Sequence, residues 1–232
     1  MQYVTQRKIR IHLVTNGTLL TRDLARDFIK TCKPLRITFS IDAGTKTLYE
    51  WIRRGANFET ILQNVRSTVD MNKELKTGTR VVWYCTIAKY NYHEIPEMVN
   101  LAERTGVNAI NFTDLTLHEF GLAKPRQSIR EQNLTSEVAK MVKRQQTISN
   151  TQITYRVAQP LKSTCQLPWL QTFIQVNGDV YPCTDTLEYK LGNVYENDFV
   201  EIWNGTKMRE FREQFFSEKP LRECQKCVWH SD

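Results

Sequence analysis

The sequence predicts an α/β domain built on a parallel sheet over residues 1–150, followed by a smaller α+β module with a β-hairpin over residues 151–232. Three observations carry this reading. Short apolar runs alternate with amphipathic helical patterns at a spacing of roughly 30–45 residues, the rhythm of right-handed βαβ units. That rhythm stops near residue 150. Four of the six cysteines then fall between Cys165 and Cys227.

The elements follow in order. Ile9–Thr15 reads as a strand, broken by Asn16-Gly17. Thr21 caps a helix whose apolar face is Leu20, Leu24 and Phe28. Leu35–Ile41 is the next strand. Phe58, Ile61, Leu62, Val65 and Val69 form a stripe of helical period after Asn57. Arg80–Ile87 is a strand, and Ile95, Met98, Val99 and Ala102 mark a helix that ends near Gly106. Val107–Phe112 is a fourth strand; Leu134, Val138, Met141 and Val142 mark a further helix. In the second module, Ile153, Tyr155 and Val157 alternate as in a half-buried strand. Phe173–Val176 and Asp179–Pro182 flank Asn177-Gly178, a pair suited to a type I′ hairpin turn. Phe199–Trp203 and Lys207–Phe216 read as short helices, and Pro220 stops the second.

Composition excludes some classes. The chain has 232 residues, 41% hydrophobic and 25% charged, which is ordinary for a globular protein with a real core. No run of about 18 apolar residues exists to cross a membrane. Met1–Lys8 lacks the apolar stretch of a signal peptide, so a cytoplasmic location is expected. The net charge is +7, but the lysines and arginines are scattered over helix surfaces, with no block that would point to nucleic acid.

Cys32 ends a helical pattern and Cys85 lies inside an apolar strand; both read as small buried hydrophobes. The other four have a convergent spacing. Cys165 precedes the first hairpin strand and Cys183 follows the second, so the turn brings both to one open end. Cys224-x-x-Cys227 offers two thiolates from one tight loop. Four thiolates suit either Zn²⁺ or a [4Fe–4S] cluster, and the spacing alone leaves both open. The Cys165–Cys183 interval is wide for a zinc ribbon.

The segment Cys165-x12-Gly178-x4-Cys183, with Pro168-Trp169 and Asn177-Gly178-Asp179-Val180-Tyr181-Pro182, resembles the opening of a SPASM domain. Gly192-Asn193 and Ile202-Trp203-Asn204 recur there too. SPASM domains are C-terminal additions to radical SAM enzymes and carry auxiliary [4Fe–4S] clusters. The sequence stops five residues after Cys227, which is similar to the shortened "twitch" form with one cluster on four cysteines. The resemblance therefore implies Cys165, Cys183, Cys224 and Cys227 as ligands of one [4Fe–4S] cluster.

The front half resembles strands 3 to 6 of the radical SAM (βα) barrel. Leu13–Leu20 is similar to the third strand and its turn, and Thr38–Ala43, followed by Ile52-Arg53-Arg54-Gly55, to the fourth. The resemblance implies Ser40 and Arg53, with Asp42 and Asn91, as contacts to S-adenosyl-L-methionine in the complete enzyme. Thr15 and Asn16, at a strand's C-terminal end, would face the substrate cavity, where parallel barrels place their chemistry. The family's CxxxCxxC motif, which holds the SAM-cleaving cluster, is absent from this sequence, as is its Gly-Gly-Glu stretch. Two βα units are thus expected to be missing from the N-terminus, as a truncation or because a second polypeptide supplies them. No catalytic residue is assigned. The implied parent reaction is hydrogen-atom abstraction by a 5′-deoxyadenosyl radical, an oxidoreductase-type modification of a peptide or protein or a dehydrogenation of a small molecule. The competing reading is a non-catalytic four-cysteine zinc module that binds a protein or nucleic-acid partner.

Overall fold

The computed structural model describes residues 10–115, 127–130, 132–157, 165–217 and 219–225. Ile9 and Cys227 lie outside the described residues. The chain divides into two compact units, Met1–Val157 and Ala158–Asp232.

Among its described residues the first unit holds a five-stranded sheet in sequential order: β1 (His12–Thr15), β2 (Arg36–Ser40), β3 (Arg80–Ile87), β4 (Ala109–Asp114) and β5 (Gln152–Arg156). All neighbours pair in parallel. Parallel pairing requires a crossover each time, and helices supply it. They are α1 (Arg22–Cys32), α2 (Lys46–Ile52), α3 (Phe58–Leu75), α4 (Ile95–Thr105) and α5 (Thr135–Ile148). Alternation along the strands sends Ile37, Phe39, Trp83, Cys85, Ile110 and Phe112 to one face, all at most 1% exposed. They form the core with the inner faces of the helices.

Local signals set the boundaries. Thr21, Thr45 and Asn57 each accept a hydrogen bond from the third residue onward, as N-caps. Gly106 closes α4 in the left-handed region, at φ 75°. Gly17 follows β1 at φ 73°, and a Cβ there would collide with Ile61 and Phe39. The Asn64 side chain fastens this turn by donating to the Gly17 and Thr18 carbonyls, at 2.9 and 3.3 Å.

Three expectations change. The buried face of α1 is Ala25, Ile29 and Cys32, whereas Leu24 is 44% exposed. The stripe is turned by one residue: Ala25 and Ile29 are fully buried, Phe28 is half-buried against the core, and Leu20 is buried before the helix begins. The strand carrying Ile153 and Tyr155 is not part of the small module. It pairs with β4 as the last strand of the large sheet, and the boundary expected at residue 150 falls at Val157. The hairpin turn is not type I′, since only Gly178 of the Asn-Gly pair takes a positive φ, at 84°.

The second unit carries a three-stranded antiparallel sheet: β6 (Phe173–Ile174), β7 (Asp179–Tyr181) and β8 (Gly192–Asn193). Gly178 N–H donates to the Gln175 carbonyl and Gln175 N–H to the Asp179 carbonyl, each at 2.9 Å. This is a three-residue loop closed by a left-handed glycine. Around the sheet lie α6 (Leu167–Leu170), α7 (Phe199–Asn204), α8 (Thr206–Phe215) and α9 (Arg222–Gln225). Val180, Leu191, Ile202, Met208, Phe211 and Phe215 form its core.

Candidate functional site

On the face opposite the core, the sheet register lines up polar side chains in rows. Ser40 is beside Tyr84, Tyr84 beside Asn111, and Asn111 beside Thr154. All four are half-buried, and Thr154 Oγ1 donates to Asn111 Oδ1 at 2.7 Å. Nearer the C-terminal ends, Thr86, Thr113 and Arg156 continue the pattern. Apart from Ser40, this row was not singled out from the sequence. The even positions of Arg80–Ile87 and the odd ones of Ala109–Asp114 are its only signal, and neither says which face is covered.

At the same edge, three of the expected SAM contacts come together. Arg53 donates to Asp42 Oδ2 at 2.6 Å, with side chains 28% and 11% exposed. Asp42 Oδ1 accepts the Thr86 backbone N–H at 2.9 Å. Asn91 is fully buried; its amide donates to the Asp42 and Thr86 carbonyls, both at 2.8 Å, and its Oδ1 accepts the Ala88 N–H at 2.7 Å. Asn91 thus has its side-chain polar atoms committed to the backbone. Glu94, not anticipated from the sequence, completes the junction. It accepts the Gly44 and Thr45 N–H groups on Oε2, at 2.8 and 3.1 Å, and the Thr45 hydroxyl on Oε1, at 2.6 Å.

Arg53 Nε and Tyr49 Oη are buried here without a hydrogen-bond partner among the described residues. Tyr90 lies at the same edge, and burial, reinforced by Asp42 and opposed by Arg53, pushes its phenol above the ordinary range. Its ring meets that of Trp51 edge-on at 5.5 Å, and Trp51 is 55% exposed.

The two expected cavity residues separate. Thr15 is in register with Phe39 and shares the helix-covered face, where its Oγ1 accepts the Gly17 N–H at 3.0 Å. Period-2 alternation therefore removes Thr15 from the open face. Asn16 is exposed, and its Oδ1 accepts from the Thr18 N–H and hydroxyl.

In the second unit, Cys165, Cys183 and Cys224 line one small cavity of about 20 Å³, partly open to solvent. The hairpin and α9 bring them there. Leu167, Pro168, Phe211 and Phe215 make its walls apolar, and Asp185, Thr186 and Glu223 complete the lining. Burial raises the Cys165 thiol above its ordinary range, opposed by a hydrogen bond from the Leu167 N–H. Among the described residues, no three Cys, His, Asp or Glu side chains close on a single ion position. Cys32 and Cys85 are buried elsewhere, in the first unit, as expected.

Comparison with known proteins agrees with both halves. A radical SAM superfamily model matches residues 2–102, and a SPASM model, described as an iron–sulfur cluster-binding domain, matches residues 165–228. No curated protein matches the chain. Among solved structures, Streptococcus suis SuiB is similar at TM-score 0.68 and 14% identity, over 93% of this chain and 53% of that one. SuiB bound to its precursor peptide SuiA is similar at TM-score 0.62 and 15% identity, over 89% and 50%. Native anSMEcpe with bound AdoMet and the Cp18Cys peptide is similar at TM-score 0.60 and 17% identity, over 94% and 63%. At these identities the likeness is one of fold. The chain spans about half the length of the SuiB chain. From the two family matches, the α/β sheet unit and the thiol-bearing hairpin unit, the chain belongs to the radical SAM superfamily and carries a SPASM iron–sulfur cluster-binding domain.

Proposed function

We propose that Cys165, Cys183, Cys224 and Cys227 hold one auxiliary [4Fe–4S] cluster, and that the chain works within a radical SAM enzyme that modifies a peptide. The observation that carries the reading is the convergence of three of these cysteines on one apolar cavity, with Cys227 three positions beyond Cys224. The match of residues 165–228 to an iron–sulfur cluster-binding domain favours a cluster over zinc. When bound, the cluster supplies one-electron chemistry next to substrate. This chain's own residues hold it, flank it with Phe211 and Phe215, and bring its ligands from the hairpin and from α9.

In the first unit, Ser40 and Arg53 are the proposed SAM contacts. Asp42 and Asn91 hold Arg53 and the loop after β2 in place. The orphaned Arg53 Nε–H leaves a buried donor for a polar ligand at that edge. A peptide substrate is supported by the SuiA- and Cp18Cys-bound structures, whose folds this chain shares.

Anaerobic reconstitution tests the cluster. About four irons per chain are expected, with broad absorbance near ~400 nm, and Cys→Ser at any of the four positions should lower both. Stoichiometric zinc without iron after anaerobic purification would overturn the reading. Because the sequence has no CxxxCxxC, the chain alone should release no 5′-deoxyadenosine under strong reductant. Turnover that persists after repurification would refute that part.

A further inference from the structure

One hydroxyl in the thiol cavity is placed to act on the sulfur of Cys183. Thr186 is 1% exposed and lines the cavity with the three cysteines. Its Oγ1 accepts the Cys183 backbone N–H at 3.2 Å. Its single proton then has two acceptors within reach, the Cys183 carbonyl at 3.3 Å and the Cys183 Sγ at 3.5 Å. A neutral thiol is a weak acceptor, and the carbonyl competes well for the proton. A thiolate is charged, and a charge-assisted bond is roughly twice as strong as a neutral one. Loading a metal centre on Cys183 would therefore turn the hydroxyl toward sulfur.

We propose that Thr186 is a positioning residue for the auxiliary centre, whose hydroxyl donates to the Cys183 thiolate and raises the reduction potential of the bound cluster. This rests on the assignment of Cys183 as a ligand. Hydrogen bonds to cluster sulfurs and the net charge around them are among the levers that set iron–sulfur potentials. Adding an electron makes the centre more negative, so a donor aimed at sulfur stabilises the reduced form. Apolar walls lower the local dielectric and so strengthen the effect. Two carboxylates in the lining, Asp185 and Glu223, act in the opposite sense, because their negative charge disfavours an added electron. The Leu167 N–H on Cys165 is a second donor, supplied by the backbone rather than by a side chain. Thr186 is therefore the adjustable donor in this lining.

The test uses the reconstituted full chain and an EPR-monitored redox titration of Thr186→Val and Thr186→Ser. The valine variant keeps the shape and loses the hydroxyl; the serine variant keeps it. Valine should shift the midpoint potential to a more negative value at unchanged iron content, and serine should restore the wild-type potential. Equal potentials for wild type and valine at equal iron content would overturn the proposal. Valine also orphans the Cys183 N–H, and if it loses the cluster, the wild-type protein decides. After exchange into D₂O, pulsed electron–nuclear double resonance of the reduced cluster should show two classes of coupled deuteron, from Thr186 and from Leu167. A single class would overturn the proposal. A wild-type chain that binds no iron would instead refute the ligand assignment, a result the iron assay reports separately.

Discussion

Asn91 holds no charge, yet it secures two carbonyls and one N–H that the loops after β2 and β3 would otherwise bury unpaired. Leaving buried backbone groups unsatisfied costs about 1–3 kcal/mol each, less whatever relaxation recovers. Asn91→Ala should therefore destabilise the first unit by about 3 kcal/mol, read as a lower urea midpoint for its transition. Tyr155 gives a pH signature. Its hydroxyl donates to Asp114 at 2.6 Å, and burial, with the carboxylate's help, pushes its ionisation well above the ordinary phenol range. The folded state thus holds this proton more tightly than the unfolded state does. The stabilisation is complete below about pH 10, the unfolded value, and is lost progressively as pH rises above it. Tyr155→Phe should flatten the fall in urea midpoint between about pH 9 and pH 11. The family resemblance made Arg53, Asp42 and Asn91 legible in the sequence as expected SAM contacts. That they bond to one another was not, because their partners are set by how two loops meet in space.

Elements with strong local signals were read closely. Thr21, Asn57 and Gly106 mark helix ends by side-chain and backbone chemistry that needs no tertiary context. The face of α1 and the allegiance of β5 were not legible, since both depend on which surface a segment packs against. An alternating run such as Ile153–Val157 fits an edge strand of either sheet. Gly178 shows how much one turn carries. At φ 84°, a Cβ would sit 2.5 Å from Tyr195 and 2.7 Å from Asn193. The left-handed conformation alone costs a non-glycine residue about 1–2 kcal/mol. Gly178→Ala should lower the second unit's stability by at least that much and reduce iron retention during desalting. The reverse applies at two helix ends. Lys33 and Lys76 close α1 and α3 in the left-handed region, at φ 43° and 50°. Replacing either by glycine should stabilise the first unit by about 0.5 kcal/mol, after the entropic cost of glycine is counted, measurable as a small rise in its thermal midpoint.

The molecule as a whole is two bodies with different sources of stability. The first has an extended apolar core beneath a continuous sheet. The second has a small core and short strands beside its thiol cavity. Metal binding that needs a folded site adds its free energy to folding. Stripping the cluster with a chelator should therefore lower the melting transition of the second unit and leave that of the first in place, as calorimetry of loaded and stripped protein would show. Fold class and the two-unit plan were legible because periodicity and cysteine spacing act over long stretches. The junction at the sheet's C-terminal edge was hidden, because it joins residues about fifty positions apart: Glu94 to Gly44 and Thr45, and Asn91 to Asp42. That junction also limits how such enzymes can exchange parts. The segment 42–45 and the segment 86–94 are complementary halves of one fitting, so a chimera that inherits one from this chain and the other from a relative strands carbonyls and amides on both sides. A single crossover outside residues 42–94 takes both halves from one parent and keeps this edge intact.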